Sequence, residues 1–205
     1  MNNKTCNNIQ KRKIANDKIY TPKPVALKMI EMCDLKENDT VLDPSLGGGV
    51  FYNNFPSYVE KDFCEIEQDK NFFECNEKFD CITGNPPYSL WDKWLEHTMK
   101  LTDKFCYIFG VLNFTDNRIK NILKKGFGIS KIHLLKINWW FGHQLIIVFE
   151  KNKQSIISVE ENRIYCDICN TKCKRGLNGN NINDSGNSLE VGHYNMLIFI
   201  LHMFI

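Results

Sequence analysis

Two carboxylates and a run of glycines have the residue types and spacing of a ligand site. Gly47, Gly48 and Gly49 follow a short apolar segment that is typical of a strand, and Asp43 stands at its end. A second acid, Glu65, ends the next strand-like segment. In folds that bind nucleoside cofactors, an acid after the second strand binds the ribose hydroxyls, and glycines let the backbone approach the ligand. The spacing therefore predicts a nucleoside-cofactor site.

Asp43 and Pro44 interrupt the pattern that a phosphate-binding loop would have. A carboxylate at that position repels a pyrophosphate and attracts an ammonium group, such as the amino end of S-adenosylmethionine. We therefore expect a cofactor that carries a positively charged amine.

Strand-like and helix-like segments alternate around these residues, which indicates an α/β fold with a doubly wound, mostly parallel sheet. In such sheets, ligands bind at the carboxyl ends of the strands near the switch in strand order. A helix is expected to open at Thr21-Pro22, with Thr21 as its cap. The other segments are predicted strands near 40–42, 63–66, 79–83, 105–112, 131–137 and 145–149, and predicted helices near 91–101 and 117–125.

Three motifs give the chain a resemblance to a known family. Asn85-Pro86-Pro87-Tyr88 resembles the signature of amino-methyltransferases, and the segment 43–51 is similar to the cofactor loop of adenine-N6 DNA methyltransferases. Tyr20-Thr21-Pro22 is similar to their N-terminal cofactor motif, and the order of the motifs resembles the gamma arrangement. The resemblance covers residues 18 to about 151 and implies a Rossmann-like S-adenosylmethionine-dependent methyltransferase fold.

The resemblance also implies a set of cofactor-binding residues. Glu65 would bind the ribose hydroxyls of the cofactor, and Ile66 would lie against its adenine. The residues that would surround its methionine half are Thr21, Asp43, Ser45 and Gly47. Asn71-Phe72 stands where the family has Asp-Phe, and the short loop between Phe51 and Glu65 predicts a trimmed first helix. The full set is Thr21, Asp43, Ser45, Gly47, Glu65, Ile66, Asn71 and Phe72.

The catalytic residues that the resemblance implies are Asn85, Pro86, Pro87 and Tyr88. An adenine amine is a poor nucleophile because its lone pair is delocalised into the ring. The Asn85 side-chain oxygen and the Pro86 carbonyl would accept its two N–H groups and favour a pyramidal nitrogen. Tyr88 would stack on a base extruded from the duplex. The expected activity is that of a site-specific adenine DNA methyltransferase of a restriction–modification system.

Aromatic and basic segments offer further contacts with nucleic acid. Trp139, Trp140 and Phe141 precede His143, and they either stack on bases or belong to the core; His143 is not expected to be catalytic. The basic runs 4–28 and 118–136 either contact phosphates or form solvated faces.

The sequence suggests three regions: a basic arm at 1–17, a methyltransferase domain at 18–151 and a small extension at 152–205. Cys166, Cys169 and Cys173 in the extension have zinc-site spacing, and His193 is a candidate fourth ligand. The other six cysteines are expected to be small buried hydrophobes or incidental thiols.

Composition excludes several classes of protein. The chain has 205 residues, 43% of them hydrophobic and 24% charged, and no apolar run reaches the length of about 20 residues that a membrane span needs. The N-terminus lacks the apolar segment of a secretory signal. We expect a soluble protein in a reducing, intracellular compartment, acting on DNA, with a separate specificity subunit as a further candidate partner.

Three alternatives remain open from the sequence. Protein glutamine methyltransferases share the Asn-Pro-Pro-Tyr loop, because an amide nitrogen poses the same lone-pair problem. An RNA adenine presents the same amine. A catalytically silent module that only binds nucleic acid or a partner is the third alternative, since only about fifty residues follow the last predicted strand.

Overall fold

The computed structural model describes residues 19–160. The described residues form a six-stranded sheet and three α-helices, joined by loops and short 3-10 turns. In chain order the elements are α1 (Lys23–Met32), β1 (Thr40–Asp43), β2 (Glu60–Phe63), β3 (Cys81–Gly84), α2 (Trp91–Leu101), β4 (Lys104–Gly110), α3 (Asp116–Lys124), β5 (Phe127–Leu135) and β6 (Gln144–Lys151).

The sheet has the order β2-β1-β3-β4-β6-β5. The first four strands are parallel to one another, and β6 runs antiparallel between β4 and β5. The chain moves outward from β1 to β2 and then returns to place β3 on the other side of β1. The switch in strand order therefore lies between β1 and β3, where a ligand is expected.

Both faces of the sheet are covered, and β4 shows how its sequence does this. Phe105, Tyr107 and Phe109 point to one face and pack in a cluster with α2 and α3. Cys106 and Ile108 point to the other face and pack with α1. Successive side chains of a strand face opposite sides, so a continuous apolar run is what a strand buried on both faces requires. The predicted doubly wound, mostly parallel α/β fold is confirmed.

Two predicted boundaries differ from the structure. The second strand, expected to include Glu65, ends at Phe63, and Glu65 lies in the following loop, where it bridges to Lys70. The cap of α1 is Pro22, with no side-chain hydrogen bond, so Thr21 does not cap the helix. The proline ring already fixes the backbone of the first turn. The trimmed first helix is confirmed, since only a 3-10 turn at Tyr52–Asn54 stands between Phe51 and β2.

The basic run 118–136 is largely engaged within the fold. Arg118 and Lys120 pair with Asp92 and Asp116. Lys131 donates to the Met32 carbonyl at the end of α1, and Lys136 bonds to two loop carbonyls. Cations near a helix C-terminus compensate its unpaired carbonyls. The run is therefore mainly structural.

Residues 166, 169, 173 and 193, the candidate zinc ligands, lie outside the described range. Within 19–160, no three His, Cys, Asp or Glu side chains are grouped so as to hold a metal. No helix in this same range has the length and apolar character to span a membrane.

Candidate cofactor and catalytic site

A cavity of about 360 Å³ opens at the carboxyl ends of β1 and β3, at the switch in strand order. Its size falls at the lower end of the range of about 300–1,000 Å³ found for small-molecule sites. The sequence-predicted residues that line it are Ser45, Gly47, Glu65, Ile66, Asn71, Phe72, Asn85 and Pro87. The structure therefore brings the glycine loop, the second acid and the loop that begins at Asn85 to one site.

Glu65 is fixed on the cavity wall by main-chain donors. Its Oε2 accepts from the Gly47 N–H at 2.8 Å, and its Oε1 accepts from the Glu67 N–H at 3.3 Å. Each carboxylate oxygen retains a lone pair for a further donor. Glu65 is therefore preorganised to accept hydrogen bonds from vicinal hydroxyls, as its predicted ribose role requires.

Asp43 lies behind the cavity wall. It is fully buried, and its two carboxyl oxygens accept from the Ser45 and Tyr52 N–H groups, each at 3.3 Å. Burial raises its pKa to about 7 and the Glu65 charge adds to this, while the two N–H donors lower it. Asp43 thus supports the glycine loop from beneath, and near neutral pH its carboxyl group is partly protonated.

Asn85 has one satisfied and one unsatisfied end. Its Nδ2 donates to the Ile19 carbonyl at 3.0 Å, while its Oδ1 is buried with no hydrogen-bond partner among the described residues. Leaving a buried acceptor unpaired costs about 1–3 kcal/mol, so such an atom needs an explanation. A donor from a bound substrate would pair it.

Gly84 allows the two loops to approach each other. A Cβ at this position would lie 2.9 Å from Pro44 Cδ and 3.2 Å from Asp43 Oδ1, which is closer than side chains tolerate. The Ser45 hydroxyl then reaches the Asn85 main-chain carbonyl at 3.2 Å. Gly84 was not recognised from the sequence, although it directly precedes Asn85.

Asn71 uses both ends of its amide within its own turn. Its Oδ1 accepts from the Phe73 N–H at 3.1 Å, and its Nδ2 donates to Glu74 at 3.0 Å. Phe72 is buried and stacks on Trp94, with 4.4 Å between ring centroids. Asn71 therefore stabilises the turn that places Phe72 against the cavity.

Tyr88 stands at the end of an aromatic stack. Its ring is nearly parallel to Trp91 at 5.9 Å, and Trp91 stacks on Phe109 of β4 at 4.2 Å. Tyr88 does not line the cavity, whereas Pro87 does. The Asn-Pro-Pro-Tyr loop is therefore anchored to the core through its own tyrosine.

The aromatic cluster before β6 divides between core and surface. Trp140 is buried, while Trp139 and Phe141 are 75% and 76% exposed. Buried Gln144 holds the loop, accepting from the Ile137 N–H and donating to the Phe141 and Gly142 carbonyls. Two exposed rings on a constrained loop at this edge of the sheet are suited to stacking.

The segment that precedes α1 contributes two residues to the cavity wall. Thr21 is buried and does not line the cavity. Ile19 and Tyr20 do line it, and the Tyr20 ring lies over the glycine loop, 3.3 Å from where a Cβ of Gly48 would stand. In the sequence, the only indication that Ile19 and Tyr20 belong to the cavity is their position directly before Thr21-Pro22.

No protein-family model matches the chain. Among curated proteins it is similar to the type II methyltransferases M.HincII and M.HindII of Haemophilus influenzae, with 25% identity over 85% of the chain in both cases. The chain spans 40% of the length of M.HincII and 39% of that of M.HindII.

Solved structures support the fold. Precorrin-6y C5,15-methyltransferase from Geobacter metallireducens GS-15 aligns over 66% of this chain and 92% of its own, with a TM-score of 0.51 and 10% identity. Trm5 from Methanocaldococcus jannaschii, solved with adenosine, aligns over 66% of this chain and 51% of its own, with a TM-score of 0.52 and 16% identity. The chain therefore has the Rossmann-like fold of S-adenosylmethionine-dependent methyltransferases, and its type II relatives confirm the resemblance to DNA methyltransferases.

Proposed function

We propose that this protein transfers a methyl group from S-adenosylmethionine to the N6 amine of adenine in DNA. The observation that carries the proposal is the buried Asn85 Oδ1, an unpaired acceptor beside the cavity that Glu65 lines. An amine brought to Asn85 would supply the missing donor. The similarity to type II methyltransferases favours DNA as the carrier of that amine.

The residues of the cavity fit the cofactor. Glu65 would hold the ribose hydroxyls, and Ile66 and Phe72 would contact the adenine ring. The Glu65 carboxylate, together with that of Asp43 when it is ionised, favours a cationic ligand. When bound, S-adenosylmethionine supplies the electrophilic methyl group.

The catalytic loop would prepare the amine for attack. Asn85 Oδ1 accepts no hydrogen bond from the described residues and is available to one N–H group of the amine. The Pro86 carbonyl, next in the chain, would accept from the other. Two acceptors placed on the N–H groups draw the lone pair out of conjugation and towards the methyl group. Proline rings on both sides of the peptide limit the movement of these acceptors.

The rings around the site would hold an extruded base. Tyr88 is backed by Trp91 and so presents a fixed ring. Trp139 and Phe141 are exposed at the same edge of the sheet, where they can stack on bases at a gain of about 1–3 kcal/mol per base. Since the chain spans 40% of M.HincII, we further propose that sequence recognition depends on a separate specificity subunit or another segment.

The decisive experiment is transfer of labelled methyl from S-adenosylmethionine to unmethylated DNA, followed by nucleoside analysis. We expect labelled N6-methyladenine from the native chain and a loss of at least 100-fold in Asn85→Ala, in the range known for removal of a donor or acceptor that acts on the transition state. Asn117→Ala, at an exposed position of α3, is the matched control and should retain full activity.

Other outcomes would redirect the assignment. Label in RNA adenine or in a protein glutamine amide, with DNA unlabelled, would keep the chemistry at Asn85 and change the substrate. Cofactor binding without transfer to any of the three substrates would indicate a silent binding module. Absence of cofactor binding would refute the assignment of the cavity.

A further inference from the structure

We infer that the main-chain carbonyl of Ile19 is a positioning group that sets the orientation of the Asn85 amide. Asn85 Nδ2 donates to this carbonyl at 3.0 Å, although the two residues are 66 positions apart. The inference rests on the proposed function, because it concerns the acceptor that would bind the target amine. It adds a residue of the N-terminal segment to the catalytic arrangement.

An asparagine amide has two orientations that differ by exchange of oxygen and nitrogen. In the observed one, the Asn85 donor is satisfied and Oδ1 is the unpaired acceptor. In the exchanged one, Oδ1 would face the Ile19 carbonyl, and the NH₂ group would face the N–H groups of the target. One hydrogen bond behind the amide therefore selects the orientation that can accept from an amine.

The Ile19 carbonyl is itself held in place by packing. The Tyr20 ring lies over the glycine loop, 3.8 Å and 3.3 Å from where Cβ atoms of Gly47 and Gly48 would stand. The Asn85 main chain is fixed independently, because its carbonyl accepts from Ser45 Oγ at 3.2 Å. The segment 19–20 thus links the glycine loop to the catalytic amide.

An aspartate at position 85 would respond to this arrangement in a specific way. A carboxylate has two acceptors and no donor, so Asn85→Asp places a charged oxygen against the Ile19 carbonyl. Protonation restores a donor, which can bond to Ile19 while the other oxygen faces the amine. Activity of the aspartate variant, relative to the native chain, should therefore rise as pH falls.

Other titratable and charged groups line or underlie the same cavity: Tyr20, Asp43, Cys64, Glu65, Glu67 and Lys70. The native chain carries all of them, so the ratio of variant to native activity at each pH isolates the group at position 85. We expect this ratio to increase at least 5-fold from pH 8 to pH 6. A ratio that stays constant, or full activity of Asn85→Asp at pH 8, would overturn the inference.

A second test changes only the carbonyl. Replacing Tyr20 with its α-hydroxy acid in the full chain converts the Ile19 carbonyl into an ester carbonyl, a weaker acceptor. The Tyr20 N–H that is lost donates to no described residue. We expect kcat to fall about 5-fold, the effect of one weakened hydrogen bond, with the KM for S-adenosylmethionine changed less than 2-fold.

The matched control uses the same building block at Tyr58, outside the site. There the altered Ser57 carbonyl accepts no hydrogen bond and the Tyr58 N–H donates none among the described residues. Equal kcat values for the two esters would contradict the positioning role.

A measurement without turnover separates this inference from the proposed function. In nitrogen-15 NMR spectra, the Asn85 side-chain amide signals should shift in the Tyr20 ester and not in the Tyr58 ester. If the native chain methylates nothing but the shift is observed, the proposed function is refuted and the hydrogen bond between Asn85 and Ile19 is still supported. Absence of the shift would refute the inference itself.

Discussion

The Ser45 hydroxyl donates to the main-chain carbonyl of Asn85 at 3.2 Å, across a sequence separation of 40 residues. Ser45 belongs to the loop after β1, and Asn85 begins the Asn-Pro-Pro-Tyr loop after β3. The two loops therefore form one hydrogen-bonded unit at the switch in strand order. Several properties of the site depend on this unit.

Ser45→Ala should lower the kcat of methyl transfer. A neutral hydrogen bond contributes about 1 kcal/mol, so its loss from the catalytic loop is expected to reduce the methylation rate about 5-fold. Initial rates at saturating cofactor test this. Ser130→Ala is the matched control, because Ser130 also donates to a main-chain carbonyl, that of Val148, in the sheet away from the cavity. Equal rate losses in both variants would argue against a specific role.

Cofactor binding should be coupled to the protonation of Asp43. Its pKa is raised to about 7, mainly by burial. A bound cation favours the charged carboxylate and so lowers this pKa, which means that binding releases protons. Affinity for S-adenosylmethionine should therefore increase as pH rises from about 6 to 8. Calorimetry in buffers of different ionisation enthalpy measures the protons released, and Asp43→Asn should abolish the dependence.

The raised pKa of Asp43 also determines how the free energy of unfolding should change with pH. The folded protein holds the Asp43 proton more tightly than the unfolded chain, so this group's favourable contribution is present at low pH and is lost as pH rises through about 7. The stability of Asp43→Asn relative to the native chain should consequently increase between pH 5 and pH 8. Urea unfolding at each pH provides the measurement, and a constant difference would contradict the assignment.

Gly84→Ala should disrupt the junction of β1 and β3. The added Cβ would stand 2.9 Å from Pro44 and 3.2 Å from the Asp43 carboxyl oxygen. Overpacking of this kind costs about 1–3 kcal/mol in unfolding free energy. Gly110→Ala is the control, since its Cβ would meet only Asn113, at an ordinary 3.5 Å. Urea denaturation of both variants tests the expectation, and equal midpoints would refute it.

Trp139 should report directly on binding of bases. The sequence has four tryptophans, and Trp91, Trp94 and Trp140 are 2%, 5% and 8% exposed, against 75% for Trp139. Acrylamide quenching of the native protein should therefore come mostly from Trp139. Single-stranded DNA should protect this fluorescence if Trp139 stacks on bases. Trp139→Ala should remove the protected fraction, whereas quenching that DNA leaves unchanged would exclude stacking.

Much of the fold follows from local sequence patterns. The run Phe105–Phe109 is apolar at every position, as a strand covered on both faces requires, and the helical spacing around Trp94 predicts α2. The glycine loop and Glu65 were recognised because their residue types stand at the ends of predicted strands, and Asn85 because its loop resembles the amino-methyltransferase signature. Since carboxyl ends of parallel strands meet at one edge, their convergence follows from the topology.

The sequence alone thus determined the class of fold, the edge of the sheet that carries the cavity, and eight of the residues that line it. Only the tertiary structure decided what each of them contacts. Asp43 is behind the wall because its oxygens accept from Ser45 and Tyr52. The Asn85 amide is oriented by Ile19, 66 residues away. Hydrogen bonds between distant segments depend on sub-ångström packing of the whole sheet, and no local pattern of residue types encodes that packing.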